Sequence, residues 1–125
     1  MTSHLYLVVL GGRIHGCNVE LHDVRWVVGE SIDDTIVTLK KEWFGDKKGL
    51  HIDSYRMIEH VDGMDVTVVH SPSVKKSQNE NALWFVNLGG YSSQSMAEQH
   101  EFGMVVARTQ QLAKSKARQR WLKGM

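Results

Sequence analysis

Apolar residues run without a break from residue 5 to residue 10, and two glycines follow them. A run of this length with a glycine boundary is typical of a strand that is buried on both faces. Over residues 20–28, Val24, Trp26 and Val28 recur at every second position, which predicts a second strand. Residues 83–88 and 102–107 show the same two patterns later in the chain. The pattern therefore predicts two pairs of strands.

A helix is predicted to follow each pair. In the first, Ser31 is a suitable N-cap, Asp34 lies in the first turn, and Gly45 is predicted to end the helix in a left-handed conformation. Its apolar stripe has helical spacing and consists of Ile32, Ile36, Leu39 and Trp43. The second helix is predicted from Thr109, as its cap, to about Lys123. Its thinner stripe consists of Ala113, Ala117 and Trp121, and the small alanines indicate close packing.

Between the two halves, residues 50–70 predict a β-hairpin with arms at 51–60 and 64–69. Asp62 and Gly63 form the expected turn, since Asp-Gly is a strong hairpin signal. Residues 71–81 are polar and contain the only proline, so they are predicted to be a linker.

The chain also resembles itself: residues 5–12 recur as residues 83–90, 78 positions later. The same offset relates Glu20 to Glu98, His22 to His100 and Trp43 to Trp121. This self-similarity predicts a duplicated β-β-α unit, at about 5–45 and 83–123, within a single domain covering 1–125. The two tryptophans are predicted to fill the core.

The predicted fold class is α+β, with element order β-β-α-β-β-β-β-α. Two helices are expected on one face of a mostly antiparallel sheet, with the repeats related by an approximate twofold axis. Open sheet edges and the thin second stripe predict a homodimer.

The composition indicates the cellular compartment in which the protein is expected. The chain is 42% hydrophobic and 23% charged, which is ordinary for a globular protein. No apolar run approaches the roughly 18 residues that cross a bilayer, and residues 1–4 do not resemble a signal peptide. The single cysteine, Cys17, is typical of a reducing compartment. A cytoplasmic location without membrane contact is therefore expected.

Charge is uneven along the chain. Residues 108–125 contain six basic residues and no acidic residue, whereas the rest of the chain has a net charge of −5. Lys116, Arg120 and Lys123 flank the second helical stripe on one side. They are candidates for nucleic-acid phosphates or another anion, although lysines on a solvated helix face would give the same pattern.

The most specific pattern of chemically reactive residues is a carboxylate and an imidazole two residues apart. It occurs as Glu20-x-His22 and Glu98-x-His100, and in reversed order as His51-x-Asp53. Residues two apart share one face of a strand. If the two halves bring the pairs into one cleft, the ligands suit Zn, Mn or Fe, or acid–base catalysis. The alternative is that each pair only braces a strand end by a hydrogen bond.

Glycines after the predicted strands form a second candidate site. Gly11 and Gly12, like Gly89 and Gly90, would let an anion approach the backbone, and Arg13 follows the first pair. No dinucleotide or phosphate-loop spacing accompanies them. A tight exit from the sheet explains the same glycines.

Six short motifs together resemble the bacterial domain-of-unknown-function family 1543. They are Leu10-Gly-Gly-Arg13, Glu20-Leu-His-Asp-Val24, Val27-Val-Gly-Glu-Ser31, Trp43-Phe-Gly45, Leu50-His-Ile-Asp-Ser54 and Phe85-Val-Asn-Leu-Gly-Gly-Tyr91. The resemblance covers nearly the whole chain. It implies a small bacterial domain present in one or two copies per protein, and it carries no assigned biochemical activity and no cofactor.

Three functions remain open from the sequence. The sequence favours a small, non-catalytic binding or interaction module. The first alternative is a metal-dependent or acid–base enzyme that uses the paired Glu and His residues. The second alternative is an anion or nucleic-acid binder that uses the basic carboxyl-terminal helix.

Overall fold

The computed structural model describes residues 2–70 and 80–124. The chain divides into two compact units, with unit 1 comprising Met1–His60 and Asp65–His70, and unit 2 comprising Val61–Met64 and Ser71–Met125. Most of the predicted linker, residues 71–79, lies outside the described residues. The single domain and the internal duplication stay predictions.

Unit 1 is built on a three-stranded antiparallel sheet in the order β2-β1-β3. The strands are β1 (His4–Gly12), β2 (Leu21–Gly29) and β3 (His51–Ile58). The central strand extends beyond the predicted residues 5–10 and includes Gly11 and Gly12. Both glycines are still paired with β2, so the chain leaves the sheet directly after Gly12.

Helix α1 (Ile32–Glu42) packs on this sheet where the apolar stripe predicted it. Its Ser31 N-cap makes no side-chain hydrogen bond, and the Ser31 carbonyl instead accepts the N–H of Asp34. Gly45 does not adopt the predicted left-handed conformation. An added Cβ at Gly45 would lie 2.5 Å from the Arg13 carbonyl oxygen, so glycine is needed there for close approach of two loops.

The predicted hairpin is only partly correct. Its turn is confirmed, since Asp62 and Gly63 have φ values of 53° and 77°. The paired segments flanking it are short, β4 (His60–Val61) and β5 (Met64–Asp65). Residues 51–58 pair with β1 instead of residues 64–69, because their backbone completes the open edge of the unit 1 sheet.

Unit 2 contains an antiparallel pair, β6 (Ala82–Gly90) and β7 (Gln99–Ala107), and the helix α2 (Gln110–Arg120). The cap is as predicted, because the Thr109 hydroxyl accepts the N–H of Leu112. The helix ends at Arg120, three residues before the predicted Lys123. Leu122, two residues after the end of the helix, has a left-handed φ of 55°.

Each unit has its own apolar core. The buried core of unit 1 consists of Tyr6, Val8, Leu10, Val27, Leu39 and Trp43. The buried core of unit 2 consists of Val86, Val105, Ala107, Ala113 and Ala117, with Trp121 packed against it. The α+β class with mostly antiparallel strands is confirmed, although the paired strands form three sheets. Within the described part of the chain, no helix is long and apolar enough to cross a membrane.

Candidate functional site

Three adjacent strands of unit 1 place a glycine between two histidines. On β1, Gly11 is paired with His22 of β2 on one side and with His51 of β3 on the other. Because strand side chains alternate between faces, the two imidazoles leave the sheet on the same side as the missing side chain of Gly11. Because Gly11 has no side chain, a gap lies between the two imidazoles.

Two carboxylates fill the space around this gap. The Nε2 atom of His51 lies 3.0 Å from Glu20 Oε1 and 3.0 Å from Asp53 Oδ1. The Nε2 atom of His22 lies 3.4 Å from Glu20 Oε1 and 3.2 Å from Asp53 Oδ2. We call these four residues the Glu20 cluster. Their side chains are between 35% and 55% exposed, so the cluster is open to solvent.

Asp53 lies at a β-bulge in β3. The pairing register shifts between Val9 and Leu10, which are opposite Ser54 and Ile52, so Asp53 is the extra residue. Alternation from His51 already favours the cluster face for Asp53, and the bulge leaves Asp53 without a partner residue on β1; bulges are common beside functional sites. The sequence motif His51-x-Asp53 does not contain this information.

Gly11 is a steric requirement of the cluster. A Cβ atom at this position would lie 2.4 Å from Glu20 Oε1 and 2.8 Å from His51 Nε2. Both separations are shorter than real Cβ contacts, so any other residue would displace these polar atoms. Gly11 therefore provides space beneath the ionisable side chains, and its role as an anion contact stays a prediction.

The imidazole of His51 is fixed by a residue that the sequence did not indicate. Its Nδ1 atom lies 2.9 Å from the carbonyl oxygen of Gly49, which has a left-handed φ of 83°. A carbonyl only accepts, so Nδ1 carries the proton and donates. This hydrogen bond is the largest influence that raises the pKa of His51 above 6.5; burial opposes it, and the charges of Glu20 and Asp53 reinforce it.

The corresponding pair in unit 2 is simpler. His100 Nε2 lies 2.9 Å from Glu98 Oε1, and a Cβ at Gly89 would lie 2.8 Å from the Glu98 carboxylate. Within the described residues of unit 2, no third strand pairs with β6 to supply a counterpart of His51 and Asp53. A cleft shared by all four predicted Glu and His residues stays a prediction.

The remaining candidate anion contacts have other neighbours. Gly12 lies against the indole of Trp43, and a Cβ there would be 2.8 Å from the ring. The Arg13 carbonyl accepts the N–H of Asp46 at 2.6 Å, and Gly90 is paired with Gln99. The Trp43 contact explains Gly12 by packing, and an anion at residues 11–13 or 89–90 stays a prediction.

Two of the three basic residues singled out on the second helix contact one carboxylate. Arg120 Nη2 lies 2.7 Å from Asp62 Oδ1, and Lys116 Nζ lies 3.9 Å from Asp62 Oδ2. Asp62 also accepts the N–H of Val106 at 2.7 Å, while Lys116 donates to the Val106 carbonyl. This carboxylate was missed because its partners lie more than 40 residues away in sequence.

Comparison with known proteins gives a family and a structural relative. A family model described as Domain of Unknown Function (DUF1543) matches residues 17–68 and 95–125. The chain is 38% identical to a protein Il1583 from Idiomarina loihiensis, whose crystal structure it matches with a TM-score of 0.72. That match covers 94% of this chain and 72% of the other. No curated protein matches the chain significantly. All four residues of the Glu20 cluster lie in the first matched segment.

Proposed function

The chain belongs to the family described as Domain of Unknown Function (DUF1543), and we propose that it is a binding module for one divalent transition-metal ion. The proposed ligands are Glu20, His51 and Asp53, whose ligand atoms all lie within 4.8 Å of one another. His22 contacts the same two carboxylates and is the proposed fourth ligand. A set of imidazole and carboxylate ligands suits Zn, Mn or Fe.

The orientation of the His51 ring between the Gly49 carbonyl and two carboxylates is the observation that carries this proposal. Its Nδ1 donates its proton to Gly49, so a neutral ring presents a lone pair at Nε2. That lone pair points toward two carboxylate oxygens, each 3.0 Å away, which are acceptors when ionised. The arrangement requires a positive centre between these atoms, either a proton on Nε2 or a metal ion.

The distances fit a metal ion as well as they fit a proton. Ligand atoms about 2.1 Å from a metal lie about 3.0 to 3.4 Å from one another in octahedral or tetrahedral geometry. The four nitrogen–oxygen distances of the Glu20 cluster run from 3.0 to 3.4 Å. Each of these nitrogen–oxygen contacts therefore has the spacing of two ligands of one ion, and the group whose ligand atoms lie within 4.8 Å of one another consists of Glu20, His51 and Asp53. The Gly49 carbonyl is the outer partner that metal-binding histidines commonly have.

A binding role is favoured over the other two candidates. The cluster is exposed to solvent, so water would complete the coordination, and none of the carboxyl or imidazole groups of the described residues is buried beside it. The nucleic-acid alternative loses support because Arg120 and Lys116 are engaged with Asp62. The proposed function is therefore a binding module, as the sequence favours, and its ligands are residues of the predicted metal site.

Metal titration of the chelator-treated protein tests the proposal. Calorimetry with Zn²⁺ and Mn²⁺, followed by elemental analysis, is expected to give one ion per chain. The double variant His22→Ala/His51→Ala is expected to lose binding by more than the roughly 10- to 100-fold that loss of an outer partner costs. Circular dichroism checks that this variant is folded.

The matched control is Glu98→Ala/His100→Ala, which removes the similar pair from unit 2. It is expected to retain one ion per chain, because unit 2 has no counterpart of β3 among its described residues. Absence of uptake by the native protein would refute the proposal. Equal loss in both double variants would refute the single site in unit 1.

A further inference from the structure

A groove in unit 1 lies between α1 and β3. Its volume is about 300 Å³, which is at the lower end of the range for small-molecule sites. Five aliphatic side chains line it: Leu10, Ile36, Leu39, Leu50 and Ile52. An apolar recess of this size fits one short aliphatic chain or one aromatic ring.

The polar residues of the groove are basic or neutral. Lys40 and His51 complete its lining, and none of the described lining residues is acidic. Lys40 is one helical turn after Ile36, so its aliphatic stem lies along the groove while its ammonium group reaches solvent at the rim. Lys47 Nζ donates to the Lys40 carbonyl, which brings a second ammonium group to the same end of α1.

Strand geometry separates this groove from the Glu20 cluster. Leu50 and Ile52 pack against the unit 1 core, and alternation along β3 turns the His51 imidazole to the opposite face, where it contacts Glu20. His51 is the one groove residue that also belongs to the cluster, so groove binding is measured with a chelator present.

We infer that the groove between α1 and β3 binds a small amphipathic carboxylate. Its apolar part contacts the five aliphatic side chains, and its carboxylate faces the ammonium groups of Lys40 and Lys47. The charge at the rim selects the anion over an alcohol or an amine with the same chain. This inference goes beyond metal binding and does not depend on it.

The experiment is a titration of ¹⁵N-labelled, full-length protein with octanoate, octanol and octylamine in the presence of a chelator. Saturable amide shifts at Ile36 and Ile52 are expected with octanoate, and weaker binding with octanol and octylamine. Lys40→Gln is expected to weaken octanoate binding roughly fivefold, the effect of one partly exposed ion pair. It should leave octanol binding unchanged.

Lys41→Gln is the matched control, since Lys41 is the next residue of α1 and is not part of the groove lining. Ile36→Trp fills the recess and is expected to abolish the shifts for octanoate and octanol. The inference is overturned if octanoate produces no saturable shifts at the groove, or if Lys41→Gln weakens it as much as Lys40→Gln. A failed metal titration would leave these outcomes unaffected.

Discussion

Removal of the Asp62 carboxylate is expected to destabilise unit 2. Asp62 is at the left-handed position of its turn, with φ of 53°, and its side chain is only 17% exposed. The carboxylate accepts the Val106 N–H at 2.7 Å and pairs with Arg120 at 2.7 Å. Together with Lys116, it satisfies both backbone polar groups of Val106 on β7.

The magnitude follows from these contacts. A hydrogen bond from a backbone N–H to a charged acceptor contributes about 1.5 to 3 kcal/mol, and its loss leaves the buried Val106 amide unsatisfied. Arg120 is 40% exposed, so solvent screening limits its ion pair to about 0.2 to 1 kcal/mol. The variant Asp62→Ala is therefore expected to lose roughly 2 to 4 kcal/mol of unfolding free energy.

Urea unfolding and hydrogen exchange measure this effect. Exchange of the Val106 amide should accelerate strongly in Asp62→Ala, because its hydrogen-bond acceptor is gone. The control is Asp65→Ala, three residues away, whose side chain is 81% exposed and pairs with exposed His60. That variant is expected to change the unfolding free energy by less than about 0.5 kcal/mol.

The same carboxylate predicts a pH dependence. Burial alone would raise the pKa of Asp62, but the Val106 N–H and Arg120 more than offset it and hold the pKa below 3.8. A carboxyl group with a lowered folded-state pKa stabilises the protein above its unfolded-state pKa, and this contribution is lost as pH falls through the folded-state pKa. The difference between native protein and Asp62→Asn should therefore be full at neutral pH and shrink below about pH 4.

Two results would refute this reasoning. One is a loss of unfolding free energy in Asp62→Ala no larger than in Asp65→Ala. The other is unchanged exchange of the Val106 amide in Asp62→Ala, since the amide would then have a different acceptor. Either result would mean that the Asp62 contacts do not stabilise unit 2.

Three further predictions concern the Glu20 cluster. Gly11→Ala is expected to weaken metal binding, measured by calorimetry, more than tenfold, because its Cβ would displace Glu20 and His51. Gly89→Ala, the matched change in unit 2, should leave metal binding unchanged. Equal effects of the two variants would contradict the proposed site. Metal affinity is expected to rise as pH increases through the raised pKa of His51, because a proton on Nε2 competes with the ion. In metal-free protein the protonated His51 adds stability below pH 6.5 that is lost as pH rises through its folded-state pKa. Calorimetric titrations between pH 5.5 and 8 check the first trend, and a pH-independent affinity would contradict it.

Local patterns in the sequence determined the elements themselves. The apolar run of β1, the stripe of α1 and the Thr109 cap all depend on residues within about four positions, so spacing alone predicted them. The Glu-x-His pairs and His51-x-Asp53 were also identified from spacing, because strand alternation places such residues on one face. The homodimer and the cytoplasmic location stay predictions.

Tertiary structure decided which of these residues meet. The sequence pattern paired residues 51–58 with the other hairpin arm, whereas the structure pairs them with β1 and thereby brings His51 to Gly11. The bulge at Asp53, the Gly49 carbonyl and the contact of Asp62 with Val106 depend on register and on backbone groups that no side-chain pattern records. Contacts between residues that are 30 or more positions apart depend on which strand edges pair with each other. The local sequence pattern does not determine that pairing, and only the folded chain shows it.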